Sequence, residues 1–269
     1  MKIDLHSHSK LSGKLPFSPQ YTDWMLREAA LSGLDAICLT EHCHSRELHL
    51  LYEYLQEKLP SRGDCYIVHA PDTARELKVF IGFEVSIKEK GDIVVIGNKA
   101  DIWSMYHQAF VPYFLRKEQP AFLDVLNITG KYPVIMGLAH AFRDGFKIAE
   151  LPLEQLRRLD FVELNGKDIA IDRAGIEAQT EALATRLGLP IAAGSDTHQG
   201  PQFGCIYNSF EEEHETVASL KDAICREAFT IGYAENPALQ VRGAGLVRKA
   251  LLKIHELGGE YTSVLPGVN

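Results

Sequence analysis

Five apolar stretches in this chain run straight into a histidine or an acid, and they are scattered along most of its length. The first, Ile3-Asp4-Leu5, leads into His6-Ser7-His8; the others lead into Thr40-Glu41-His42, Glu84, His140 and Asp196-Thr197-His198. Residues two apart on a strand point to the same face, so His6 and His8 can reach one point just beyond the strand. Metal-ligating side chains at so many strand ends constrain the fold, because they act together only where those ends meet.

The pattern between them predicts such a fold. Short apolar, β-branched runs at 2–5, 34–39, 79–83, 93–96, 134–138, 161–164 and 191–193 read as seven buried strands. Helices alternate with them. Ser18 followed by Pro19 is an N-cap with proline in the first turn, Trp24, Met25 and Ala29 form one apolar face, and Gly33 closes that helix. Leu48, Leu51, Leu55 and Leu59 share the face of a helix at 47–59, and further helices are expected at 172–187 and 216–227. Leu246, Val247, Ala250, Leu251 and Ile254 are expected to form the inner face of a terminal helix.

Strands alternating with helices imply a parallel sheet. In a barrel all carboxyl ends converge on one mouth, whereas an open sheet would spread them along an edge. The expected fold is therefore α/β, a distorted seven-stranded (β/α)7 barrel in a single domain over 1–269. Residues 1–204 form its motif-bearing barrel and 205–269 a C-terminal helical extension.

Composition narrows the class. The 269 residues are 46% hydrophobic and 24% charged, an ordinary globular balance. A net charge of −8 argues against a broad nucleic-acid surface. It leaves a nucleotide substrate open, because a metal centre supplies local positive charge. The five cysteines are odd in number and form no CxxC pair, which points to a reducing compartment. Cys43, beside His42, reads as a small hydrophobe. The chain enters its first strand without a signal-peptide pattern and has no membrane-length apolar run. A cytoplasmic protein is the expectation.

Taken singly, each candidate has an ordinary explanation: a surface histidine, a solvated acid, a turn cap. Taken together, and brought to one mouth, they would leave acids repelling one another unless cations intervened. Mixed imidazole and carboxylate donors suit zinc, manganese or iron, at one to three ions per chain. His44 is kept in view for its closeness to His42. His49, His69, His107, His214 and His255 read as surface or packing residues. Trp103, Tyr106, Phe110, Tyr113 and Phe114 have helical spacing and read as packing in preference to a lid. There is no GxSxG nucleophile signature.

The ordered set of motifs resembles the PHP (polymerase and histidinol phosphatase) domain family over about residues 1–204. It rests on His6 with His8, Thr40-Glu41-His42, Glu84, His140, and Asp196 with His198. The resemblance implies the distorted seven-stranded barrel and a cluster of metals at its mouth. It implies that His6, His8, Glu84 and Asp196 hold a first metal. Glu84 would bridge to a second with His140, and His42 and His198 would hold a third. Two departures stand out. Ser12-Gly13-Lys14 lacks the acid or histidine that relatives often carry, and 92–98 lacks a histidine at the end of the fourth strand. Water, Asn98 or His44 are the candidate substitutes. Glu41 stands where aspartate is more usual and is expected to orient a ligand histidine.

The reaction this implies is hydrolysis of a phosphate ester by metal-activated hydroxide, with a small phosphorylated metabolite or nucleotide as substrate. Arg143 is the first candidate for gripping the phosphate, weighed against a surface pair with Asp144 or Glu150. Lys10 and Lys14 are further candidates, and Lys167 a weaker one. Asp196 with His198 is the candidate for the leaving-group proton. Two other readings stay open: an amidohydrolase cleaving a C–N bond, and a metal-stabilised PHP-like domain that binds a ligand or partner without catalysis.

Overall fold

The computed structural model describes residues 1–69 and 75–267. Its sheet holds eleven strands: β1 (Lys2–Ser7), β2 (Ala36–Leu39), β3 (Ser61–Arg62), β4 (Cys65–His69), β5 (Glu76–Ile87), β6 (Gly91–Gly97), β7 (Ile135–Ala139), β8 (Phe161–Asn165), β9 (Ile191–Gly194), β10 (Ile206–Phe210) and β11 (Phe229–Tyr233). The main path runs β11-β10-β1-β2-β5-β6-β7-β8-β9, with the β3–β4 hairpin joined to β5. All seven expected strands are present, but the count and the direction are corrected. β5, β6 and β7 pair antiparallel, while β1–β2, β2–β5, β7–β8 and β8–β9 are parallel. Residues 88–90 between β5 and β6 are too few for a parallel crossover, which needs about a dozen. They make a tight turn instead, with Lys90 at φ 63°.

The sheet curls until β9 meets β1. Ser7 and Thr197 form a parallel bridge. The Asp196 N–H donates to the His6 carbonyl at 2.8 Å and the His8 N–H to the Thr197 carbonyl at 2.9 Å. Further down, the Asn208 side chain of β10 fills the seam. It accepts from the Ala193 N–H at 2.8 Å and donates to the carbonyls of Ala193 at 2.8 Å and Ile3 at 3.2 Å. The result is a mixed α/β, nearly closed barrel.

Two apolar layers hold it. Ile3, Leu5, Ala36, Cys38, Phe80, Val94, Ile135 and Phe161 converge on one side of the strands and are plugged by Leu220 and Ile224 of the helix Val217–Cys225. Gly137 belongs to this layer for a steric reason, since a Cβ there would stand 2.1 Å from the Phe161 ring. The opposite faces, among them Ile37, Leu39, Val79 and Phe83, pack under the helices Pro19–Leu31 and Leu48–Lys58.

The helix signals are well placed. Ser18 accepts from the Tyr21 N–H, and Asp172 caps Arg173–Leu187 before Gly188 at φ 67°. The terminal helix, Pro237–Glu256, is rotated from its expected face. Ala244 and Leu251 are buried, while Leu246 is 69% exposed. Phe110 is fully buried and packs edge-on against Phe83, and Tyr106 packs on Tyr52. Among the described residues no helix is long and apolar enough to cross a membrane.

Asn208→Ala should leave the Ala193 N–H and C=O unpaired in a dry seam. At about 1–3 kcal/mol for each stranded group, a loss of about 2–4 kcal/mol is expected in urea unfolding. A loss below about 0.5 kcal/mol, the range of neutral surface changes, would show that the seam closes without Asn208.

Candidate metal centre

The first ligand pair owes its aim to a bulge. Asp4 pairs with Ile37 but Ser7 with Leu39, so β1 advances three residues where β2 advances two. That extra residue resets the alternation. Leu5 stays in the inner apolar layer, and His6 and His8 also turn inward. Their Nε2 atoms lie 3.1 Å apart.

Glu84 stands at the centre of the mouth, with no exposed surface. Its Oε1 is 2.7 Å from His140 Nε2 and 3.6 Å from His6 Nε2. Its Oε2 is 2.7 Å from His42 Nδ1 and 3.6 Å from His8 Nε2. Asp196 Oδ1 lies 3.2 Å from His8 Nε2 and 3.9 Å from His6 Nε2. The His198 ring stacks on that of His8 at 4.1 Å. All seven expected ligand residues therefore reach one site. Two of them, His140 at φ 29° and Asp196 at φ 52°, sit in left-handed backbone. Such a conformation costs about 1–3 kcal/mol for a non-glycine residue and persists where surroundings impose it. Here the Glu163 carboxylate accepts from the His140 N–H at 2.8 Å, and the His6 carbonyl holds the Asp196 N–H.

Glu163 is absent from the sequence-based set, although an acid inside the apolar run 161–164 was a usable signal. It is 3% exposed, and its Oε1 lies 2.7 Å from His6 Nδ1. Accepting that proton would turn the Nε2 lone pair toward the cluster. Gly194 makes the approach possible, since a Cβ there would stand 2.1 Å from Glu163 Oε1. Asp92 is the second addition, 3.8 Å from His140 Nε2. Because β6 runs backwards, its start lies at the mouth, where Asp92 pairs in register with Ala139. Asn98, at the other end of β6, caps the helix Lys99–Met105 and is corrected as a substitute ligand. His44 is exposed, with its ring 5.5 Å from that of His42.

The cationic candidates separate clearly. Arg143 pairs with neither Asp144 nor Glu150. Its Nη2 lies 2.9 Å from Asp196 Oδ2 and 3.1 Å from Asp168 Oδ1, and donates to Asn165 Oδ1 at 3.2 Å. Lys167 Nζ is 2.9 Å from Asp196 Oδ1 and 3.1 Å from His198 Nδ1. Lys10 is corrected: it is buried, and its ammonium donates to the Arg46 carbonyl. Lys14 is exposed, and its backbone N–H donates to Ser12 Oγ at 3.3 Å. Glu41 accepts from the backbone of Ser9, Lys10 and His42, and lies 3.5 Å from His8 Nδ1.

Charge and burial oppose each other throughout. Burial pushes the Glu84 carboxyl up, but His42 and His6 outweigh it and hold it well below the usual range. Asp196 is likewise raised by burial and carried well below it, chiefly by Lys167. Burial lowers His42, yet Glu84 lifts it to about 9. His198 is driven well below the histidine range by burial and then by Lys167 and His8, so its ring is neutral. Burial, then Glu84, raises Asp92 to about 6.

This donor set fits divalent metals. Glu84 Oε2, His8 Nδ1 and His42 Nδ1 are buried with no aligned hydrogen-bond partner among the described residues. The 2.7 Å approach of His42 Nδ1 to Glu84 Oε2 brings two potential metal ligands together. Ligand atoms lie within 4.8 Å of one another in four groups: His6, His8 and Asp196; His8, His42 and His198; Glu84, Asp92 and His140; and His6, His140 and Glu163.

Comparison with known proteins agrees with this architecture. The family model described as PHP-associated matches residues 178–228. PsfC from Pseudomonas syringae PB-5123 superposes with a TM-score of 0.72 at 21% identity, covering 93% of this chain and 98% of that one. A lesion-specific endonuclease from Pyrococcus furiosus superposes at 0.59 and 17% identity, over 84% of this chain and 56% of that one. Endonuclease Q bound to a 27-mer duplex substrate with an abasic lesion gives the same TM-score and identity, over 83% and 56%. This chain thus spans about half the length of the endonuclease. A search of curated proteins by sequence finds no match. Motif order, the family-model match and the fold together support a PHP-domain family.

Glu163→Ala removes the acceptor of both His6 Nδ1 and the His140 N–H. Loss of such an outer partner costs about 10–100-fold in metal affinity, and that drop is expected in chelator-buffered titrations. Unchanged affinity would mean that Glu163 does not orient the ligands.

Proposed function

We propose that the chain is a metal-dependent hydrolase of phosphate esters, acting on a small phosphorylated metabolite or a nucleotide. The observation that carries this reading is the pair of cations, Arg143 and Lys167, on the Asp196 edge of the ligand cluster. A neutral amide has no use for two cations beside a metal centre, whereas a phosphate dianion does. The amidohydrolase reading is weaker for that reason. The endonuclease likeness speaks to fold, and the net charge of −8 favours a small substrate over duplex DNA.

His6, His8, Glu84 and Asp196 would hold one metal, Glu84 and His140 a second with Asp92, and His42 and His198 a third. Metals held there supply Lewis acidity and an activated water. Arg143, whose Nε and Nη2 are fixed by Asp168 and Asn165, would offer the remaining side of its guanidinium to a phosphoryl oxygen. Lys167 would neutralise another oxygen or the leaving group. His198 Nδ1 lies 3.1 Å from the Lys167 ammonium, and that ammonium, the proton-bearing member of the group it forms with Asp196 and His198, would supply the leaving-group proton. A cytoplasmic location remains part of this proposal, as does a single domain over 1–269, in which β10 and the helix Val217–Cys225 pack into the barrel.

The test is elemental analysis joined to phosphate release from a panel of esters with Mn²⁺ or Zn²⁺ added. The His6→Ala, His8→Ala double variant should lose both metal and turnover, and full retention of both would overturn the site. A metal-loaded wild type that turns over no ester while binding a partner would favour the non-catalytic reading. Lys167→Ala and Arg143→Ala should each lower kcat/KM by about 10–100-fold, the worth of one charge-assisted hydrogen bond. Their metal content should stay close to wild type, which separates substrate grip from metal loss.

A further inference from the structure

The two flanks of the cluster differ in the donors they add to the shared acids. One flank joins His8, His42 and His198, three imidazoles, with Glu84 Oε2 2.7 Å from His42 Nδ1 and Asp196 Oδ1 3.6 Å from His198 Nδ1 as carboxylates shared with the centre. The other joins Glu84, Asp92 and His140, two carboxylates and one imidazole. Neutral nitrogen donors suit zinc, whereas carboxylate oxygens suit harder ions such as manganese or magnesium. The asymmetry has two structural sources. Reversal of β6 puts Asp92 at the mouth opposite Ala139. On the imidazole flank no acid reaches in from Gly13, where a Cβ would meet Ser45 Oγ at 2.7 Å. Glu84 spans the two flanks, its Oε2 2.7 Å from His42 Nδ1 and its Oε1 2.7 Å from His140 Nε2.

We propose that the cluster sorts its metals, the imidazole flank taking zinc first and the Asp92 flank holding a harder, oxygen-preferring divalent ion such as manganese. This rests on the metal-centre reading above but not on any turnover. Zinc outranks manganese at most single sites, so sorting shows itself as an order of filling. Asp92 is then the residue that sets which ion occupies its flank.

The experiment uses the full chain, freed of metal, saturated with Mn²⁺ and then given one equivalent of Zn²⁺. Bound metals are counted by elemental analysis after desalting, and Mn²⁺ is followed by electron paramagnetic resonance. In the wild type, the first zinc should enter while one manganese signal persists. Asp92→Asn, close in shape, should weaken that manganese by at least about tenfold and still take up the zinc. Asp92→His should exchange the same position to zinc. His42→Ala should lose the first zinc and keep the Asp92-dependent manganese. The proposal is overturned if the first zinc equivalent displaces that manganese, or if Asp92→Asn binds it with wild-type affinity. A chain that sorts its metals yet releases phosphate from no ester defeats only the hydrolase reading. Turnover with unsorted metals defeats only this inference.

Discussion

The site depends on a short backbone seam. The His6 carbonyl receives the Asp196 N–H, and the Thr197 carbonyl receives the His8 N–H. These bonds join chain positions that lie far apart in sequence, and they bring Asp196 and His198 to the histidines of β1. Asp4 locks the seam from beneath: its carboxylate accepts from the N–H and hydroxyl of Ser195 and from the His6 N–H. Asn208 seals the lower part. Such long-range pairing has a large loop-closure entropy to overcome before its contacts reward it. The two apolar layers supply that driving force, and the polar seam fixes the register.

Within the mouth, electrostatics set the limits. Glu84, Asp196, Asp92 and Glu163 crowd a nearly dry space with His6, His8, His42, His140 and His198. Desolvation raises every one of these carboxyls, and neighbouring positive charge decides which remain strongly acidic. Asp196 is the most heavily claimed, with His8, Arg143 and Lys167 all close to it. Its left-handed backbone and that of His140 are held by hydrogen bonds from within the cluster itself. The ligands and the strained turns that present them therefore form one mutually supporting unit.

Strand direction controls chemistry here. A wholly parallel barrel would bring the end of β6 to the mouth, and with it Asn98. The antiparallel β5–β6 hairpin brings its start, and with it Asp92. The same reversal puts the Asp92 carboxylate where a parallel strand would have put the Asn98 amide. On the Asp196 edge, the turn after β8 delivers Lys167 beside the guanidinium of Arg143. An anionic substrate would thus meet metal on one side and fixed cations on the other.

Much of this was legible in the residues alone, for reasons of period and position. The i, i+2 spacing of His6 and His8, the acids and histidines closing apolar runs, and the caps at Ser18 and Asp172 are local features. Local steric and hydrogen-bond rules act on them directly. The sequence by itself therefore determined a barrel-like fold and the seven candidate ligands. Other features needed the folded chain. The bulge that turns His6 inward, the reversal of β6, Glu163 reaching across to His6, and the burial of Lys10 on Arg46 all arise from contacts between distant segments. So does the pairing of Arg143 with Asp168 and Asp196. Which face a residue presents, and which charge stands beside it, depends on strand register and closure, and those are settled only when the whole sheet pairs.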